Sequence, residues 1–207
     1  MIITYHGGQC FKVQKGDTVI AFNPIAKKSK QFVPTKFGAD VVFSTMNHVD
    51  FNGVDMMSHG QKKPFLIQGP GEYEVGEITA QGYGVPVQYD KKDFYNTLYQ
   101  VTFDGINILF LGALGTEELD RSILGSLSAV DILFVPIADG DIIGPVQASK
   151  LAVKLEAKVI IPMHYDKKTL ETFIKEEGGG AVTPQDKLTI KAKDVAAMEG
   201  EIVVLKS

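Results

Sequence analysis

The chain has one cysteine, four histidines and only a small excess of charge of one sign, and each scarcity narrows what it can be. A lone Cys10 excludes an intrachain disulfide and fits a reducing compartment. No apolar stretch approaches the roughly 20 residues that cross a bilayer. The opening Met1-Ile2-Ile3-Thr4 also lacks the basic-then-apolar order of a secretory signal. A cytoplasmic protein with no membrane partner is the expectation. A net charge of −4 offers no clustered positive surface to neutralise phosphates, so no nucleic-acid partner is expected. Lys27, Lys28 and Lys30 form one short basic run, which reads as a solvated loop. No G-x-S-x-G elbow is present, and Cys10 has no identifiable base, so neither a serine nor a cysteine nucleophile is indicated. There is no internal linker and no short-period repeat. With 207 residues, 44% of them hydrophobic and 22% charged, the expectation is a single domain over residues 1–207 with a substantial core.

What is present changes character halfway along. The first half reads as strands: Phe11 to Val13 and Thr18 to Phe22 around Lys15-Gly16-Asp17, then Ala39 to Phe43, Phe65 to Ile67, Tyr73 to Val75 and Ile78 to Ala80. Leu98 to Phe103 and Ile106 to Leu111 flank Asp104-Gly105, a strong two-residue hairpin signal. The second half alternates helix with strand. Thr116-Glu117-Glu118-Leu119 reads as a capped helix start, Val130 to Val135 as a strand buried on both faces, and Pro145 as the first residue of a helix. Lys158 to Ile161 reads as a buried strand leading to His164, and Lys167 to Glu176 as a helix stopped by Gly178-Gly179-Gly180. Leu188 to Ile190 and Glu201 to Leu205 read as closing strands. Pattern alone gives mixed α and β.

The most informative segment is Ser44-Thr45-Met46-Asn47-His48-Val49-Asp50-Phe51, which follows a buried strand. His48 and Asp50 stand two apart, so an extended loop points both side chains the same way. An imidazole and a carboxylate on one side suit a borderline divalent cation. The segment resembles the T-H-x-H-x-D-H signature of the metallo-β-lactamase superfamily, particularly its small stand-alone zinc-dependent-hydrolase-like members. Met46 and Phe51 stand where that family has histidines. The resemblance runs along nearly the whole chain. Gly7-Gly8-Gln9-Cys10-Phe11 is similar to a G-H-x-x-F turn with Gly8 for the histidine, and Phe22-Asn23-Pro24 to an I-D-P with Asn23 for the aspartate. Val85 to Asp90 is similar to the segment carrying another histidine, with Tyr89 in its place. Leu111-Gly112-Ala113-Leu114-Gly115 is similar to a G-D-x-G segment, with Ala113 for the bridging aspartate. Ile160 to Tyr165 matches the segment of the last histidine, His164.

The resemblance implies an α+β fold, the four-layer αββα sandwich. It also implies two metals, one at the positions of Met46, His48 and Tyr89, the other at those of Asp50, Phe51 and His164, with Ala113 where the shared ligand belongs. Only His48, Asp50 and His164 remain. A catalytic zinc ordinarily takes three protein ligands and leaves a position open for water. The expectation is therefore a degenerate metal site without a resident cofactor, in a non-catalytic protein that binds a small molecule or a protein through the old cleft. The alternative is a hydrolase with one zinc or manganese on His48, Asp50 and His164, Asp50 then touching the reaction, with Asp90, Asn23 or Asn47 as candidate further ligands. A structural or oligomerisation role, and a soft-metal site of Met46, His48 and Cys10, are weaker readings. In a metal-free site Asp50 is expected to hold the His48 imidazole, and Met46 and Phe51 to fill the vacated space.

Overall fold

The computed structural model describes residues 1–207. Strands β1 (Ile2–Tyr5), β2 (Phe11–Lys15), β3 (Thr18–Phe22), β4 (Val41–Ser44) and β5 (Phe65–Gln68) form one sheet with β12 (Leu188–Thr189), in the order β12-β1-β2-β3-β4-β5. β6 (Gly71–Val75), β7 (Ile78–Tyr89), β8 (Lys92–Phe103), β9 (Ile106–Phe110), β10 (Ile132–Pro136), β11 (Val159–Met163) and β13 (Glu201–Ile202) form the other, in the order β13-β11-β10-β9-β8-β7-β6. This second sheet is antiparallel from β6 to β9 and parallel from β9 onward.

Alternation along the strands puts Phe11, Phe22, Phe43, Phe110 and Phe134 in the space between the sheets, all fully buried. Their rings interlock, Phe22 on Phe110 at 4.7 Å and Phe11 on Phe134 at 4.6 Å. Burial of each such side chain contributes about 1.5–3 kcal/mol. The outer face of the second sheet carries α1 (Arg121–Ser126), α2 (Pro145–Lys154) and α3 (Lys167–Glu176), whose Ile123, Ala148, Leu151 and Phe173 join Leu109, Leu133 and Ile160 in a second cluster. The outer face of the first sheet has a smaller cover, where a 3-10 turn at Val54–Met57 sets Met57 against Ala21, Ala39 and Val42. A short α4 (Ala192–Val195) adds Val195 to the inter-sheet core. The result is the sandwich of two sheets with outer helices.

Two elements differ from expectation for local reasons. The helix expected from Thr116 begins instead at Arg121. The Thr116 hydroxyl accepts the Glu118 N–H at 3.1 Å in a self-contained turn, and the Leu114 carbonyl is engaged by the Ile143 N–H at 2.9 Å, so the segment is tied to a neighbouring loop. β7 and β8 are also much longer than the alternation suggested, 12 residues each. They turn at Asp90-Lys91, where φ is +49° and +61°, the backbone of a type I′ turn without the usual glycine.

This architecture fixes where a site can form. β3, β4, β9 and β11 lead directly into Asn23, Thr45, the 111–113 loop and His164. The carboxyl ends of strands open into a crevice, the usual place for ligands in sheets with parallel strands.

Candidate functional site

A cleft of about 760 Å³ opens there, and the β7 end brings in Tyr89. Its walls include His48, Asp50, Tyr89 and His164, together with Lys28 and Lys30 from the basic run and Asp139 and Asp141 from the loop after β10. Rings at the positions singled out in the sequence pack on one another. Tyr89 lies 5.0 Å from His48 and 5.1 Å from Phe51, and His164 lies 6.4 Å from both Phe51 and Tyr89. Met46, Phe51, Tyr89 and Ala113 are all buried members of one apolar cluster, continuous with the residues beneath the helices.

The polar groups are held by one another. Asp50 accepts from the Ser29 hydroxyl at 2.6 Å through Oδ1 and from the Tyr89 hydroxyl at 3.0 Å through Oδ2. His48 is not held by that carboxylate as expected: its Nδ1 accepts the backbone N–H of Asp50 at 3.3 Å, leaving Oδ2 at 3.5 Å with no shared proton. A tight loop lets the imidazole satisfy the backbone, and Ser29 and Tyr89 take over the carboxylate. Burial, reinforced by the Asp50 charge, raises the Tyr89 phenol well above the ordinary tyrosine range, so it stays a protonated donor. His164 Nδ1 stands 3.1 Å from Gln9 Nε2, and its Nε2 stands 3.5 Å from the Gln31 amide. Asn23 is turned inward to Gln9 and Thr45, while Asn47 accepts from Asn52 in an exposed pair. Asp90 alone of the three candidate further ligands lines the cleft. Cys10 is fully buried, and burial pushes its thiol up to about 12, so it is an inert core residue and not a soft ligand.

Set against a metal ion, this donor set does not fit. Both oxygens of Asp50 already carry hydrogen bonds, four of the family's ligand positions present a thioether, a phenyl ring, a phenol and a methyl group, and no three of the His, Cys, Asp and Glu side chains converge as a ligand group. Ser29, Gln31 and Gln9 were invisible as site residues in the sequence. Two lie in the loop that reads as merely solvated, and Gln9 lies beside a position singled out for a missing histidine.

His164 makes the site sensitive to acid. Burial lowers its imidazole to about 4, with Asp50 pulling weakly the other way. The folded value lies below the unfolded one of about 6.5. The neutral ring therefore contributes stability that is complete above pH 6.5 and is lost as pH falls through 4. In urea titrations of chelator-treated protein, stability is expected to fall by about 3 kcal/mol more between pH 7 and 4 than in His164→Gln. Parallel pH profiles of the two proteins would remove His164 as the cause.

Comparison with known proteins agrees with the architecture. A 26% identical relative from Listeria innocua, named a UPF0173 metal-dependent hydrolase, aligns over 196 residues, 80% of this chain and 86% of that protein. A Bacillus licheniformis protein of the same name is 24% identical, with 80% and 85% covered. A Thermotoga maritima crystal structure, described as a candidate Zn-dependent hydrolase of the metallo-beta-lactamase superfamily, superposes with a TM-score of 0.76 at 26% identity over 99% of this chain and 97% of that one. An Ignicoccus hospitalis metallo hydrolase shares the fold at a TM-score of 0.64 and 20% identity, with 99% and 94% covered. These names go with the metal-dependent alternative rather than with the expectation of a non-catalytic, cofactor-free protein. No helix is long and apolar enough to cross a membrane. The profile of the Beta-lactamase superfamily domain matches residues 2–164, and this chain belongs to that family.

Proposed function

We propose that this chain is a binding protein on the metallo-β-lactamase fold, whose cleft takes a small polar molecule without a metal. One observation carries this reading: Asp50, the carboxylate among the three retained ligand positions, spends both oxygens on Ser29 and Tyr89, in a pocket whose remaining ligand positions have joined the apolar cluster. A metal would have to break these bonds before making its own. Asp50, Asp90, Asp139, Asp141 and Asp166 line the cleft against Lys28 and Lys30, so its field favours a neutral or positively charged molecule over an anion. A cytoplasmic setting fits the single reduced cysteine.

A second reading is supported by the names of the relatives, which are metal-dependent hydrolases. It places one zinc or manganese on His48, Asp50 and His164 and requires Asp50 to exchange at least one hydrogen bond for the ion. Elemental mass spectrometry of protein purified without chelators or an affinity tag, before and after loading with zinc or manganese, separates the two. The expected result is far less than one ion per chain in either state. One tightly held ion per chain, lost in His48→Ala or His164→Ala, would establish the hydrolase reading in its place.

A further inference from the structure

Gln9, Asn23 and Thr45 form a sealed chain of hydrogen bonds behind His164, with exposures of 0%, 0% and 2%. Its direction can be read from one end. The Thr45 backbone N–H is a donor by constitution, and it donates to Asn23 Oδ1 at 2.8 Å. Asn23 therefore presents its NH₂ to the other partners, donating to Thr45 Oγ1 at 2.9 Å and Gln9 Oε1 at 3.0 Å. Gln9 must then present its own NH₂ to His164 Nδ1, 3.1 Å away. An Nδ1 that accepts carries no proton, so the neutral ring carries its proton on Nε2, the nitrogen on the cleft side. A metal-ligating histidine usually has the opposite second bond, donating one ring N–H to a carboxylate or carbonyl so that the other nitrogen offers its lone pair.

We propose that Gln9, oriented by Asn23 and Thr45, holds His164 as its Nε2–H tautomer, so that the cleft offers an imidazole N–H donor to a ligand oxygen where a metal ligand would offer a lone pair. This deepens the binding reading above and rests on it for the ligand, though not for the tautomer. Gln9 is a positioning residue, acting through His164. The backbone supports the arrangement: Asn23 and His164 both take left-handed φ, +42° and +52°, and the His164 N–H is tied to the Gly8 carbonyl at 2.7 Å. On the cleft side, the His164 Nε2 partner is the Gln31 amide at 3.5 Å, a long contact from an exposed loop residue. Turning that amide half-way exchanges its oxygen and nitrogen. Its oxygen then accepts from His164, its NH₂ faces the Tyr89 hydroxyl, and the Tyr89 proton is left for Asp50. A ligand carbonyl or ether oxygen that displaces Gln31 takes the same donor. The matching chemistry is a neutral or cationic molecule with an exposed acceptor oxygen.

The test is the two-bond ¹H–¹⁵N spectrum of histidine-labelled, chelator-treated protein, which distinguishes protonated from bare ring nitrogens. His164 is assigned by loss of its signals in His164→Gln or, if that variant does not fold, by elimination with variants of the other three histidines. The expected result is a protonated Nε2 and a bare Nδ1. Two variants should move the proton. Gln9→Glu replaces the donor with an acceptor, so Nδ1 becomes protonated. Asn23→Asp, which touches neither His164 nor its Nδ1, turns Gln9 around and does the same through the chain. Gln9→Glu should also tighten zinc binding by about 10-fold or more, the usual size of such an outer-shell effect. A bare Nε2 in the wild type, or a tautomer unmoved in both variants when folded, would overturn the proposal. If neither variant folds, the wild-type spectrum alone decides it. Stoichiometric metal in untreated protein would sink the metal-free reading, while the stripped protein's spectrum still decides the tautomer.

Discussion

Phe51→Ala is expected to lower the free energy of unfolding by about 3–5 kcal/mol, the range for truncating a fully enclosed aromatic. Phe51 stands at a family ligand position, yet it is fully buried and its ring is flanked by Tyr89 at 5.1 Å and His48 at 6.0 Å. Removing it opens a cavity bounded by rings that cannot collapse without pulling β7 toward the 46–51 loop. Phe51→His is the sharper companion. It restores the family's residue type but buries an imidazole in an apolar cluster, which costs about 1–3 kcal/mol for a polar group without a partner. Both variants are read by denaturant unfolding, with and without zinc. A loss below about 1 kcal/mol for Phe51→Ala would mean the position is not part of the core. A large zinc-dependent recovery of Phe51→His would mean that the ligand geometry survives beneath the apolar packing.

Legibility in the sequence followed the range of the forces involved. The β2–β3 turn at Gly16, the turn at Asp104-Gly105 and the α3 helix were readable because glycine conformations and capping are local. α3 ran from Lys167 to Glu176 as the sequence implied, with Asp166 accepting the Thr169 N–H at its start. Thr116 misled for the same reason in reverse. Its hydroxyl could cap a helix or close a turn, and the bond from Ile143 to Leu114, distant in sequence, selected the turn.

Positions of the site were legible, and its hydrogen bonds were not. The resemblance located His48, Asp50, Tyr89, Ala113 and His164, and the structure gathers these positions at the strand ends. It could not say which partner Asp50 would choose, because Ser29 and Tyr89 reach it from 21 and 39 residues away in sequence. Asn23 registered only as a departure from an I-D-P pattern. Its consequence depends on direction, since an amide has a donor end that a carboxylate lacks. That direction is meaningful only once the Thr45 N–H and Gln9 are seen on either side of it.

Gly112→Ala is expected to destabilise the fold by about 2–5 kcal/mol, combining the ~1–2 kcal/mol of a left-handed residue with ~1–3 kcal/mol of overpacking. Gly112 has φ +61°, and a Cβ there would collide with Asn96 Oδ1 and come within 2.7 Å of Thr45 Oγ1. Neither neighbour can retreat cheaply. Asn96 is fully buried and clamps the loop from both sides, donating to the Leu111 carbonyl and accepting the Ala113 N–H, each at 2.9 Å. Thr45 is bound through its carbonyl to the Thr97 N–H at 2.8 Å and anchors the chain leading to His164. Gly60→Ala is the control: φ is +59°, but no atom lies within 4 Å, so only the backbone cost of about 1–2 kcal/mol should appear. The difference between the two variants in urea unfolding isolates the close approach, and equal losses would show that none exists. Because Thr45 starts the hydrogen-bond chain, Gly112→Ala should also broaden or shift the His164 ring signals while Gly60→Ala leaves them in place. The loop that would carry a bridging carboxylate in the family thus keeps a structural task here: it presses the backbone of Gly112 against the residue that sets which nitrogen of His164 bears the proton.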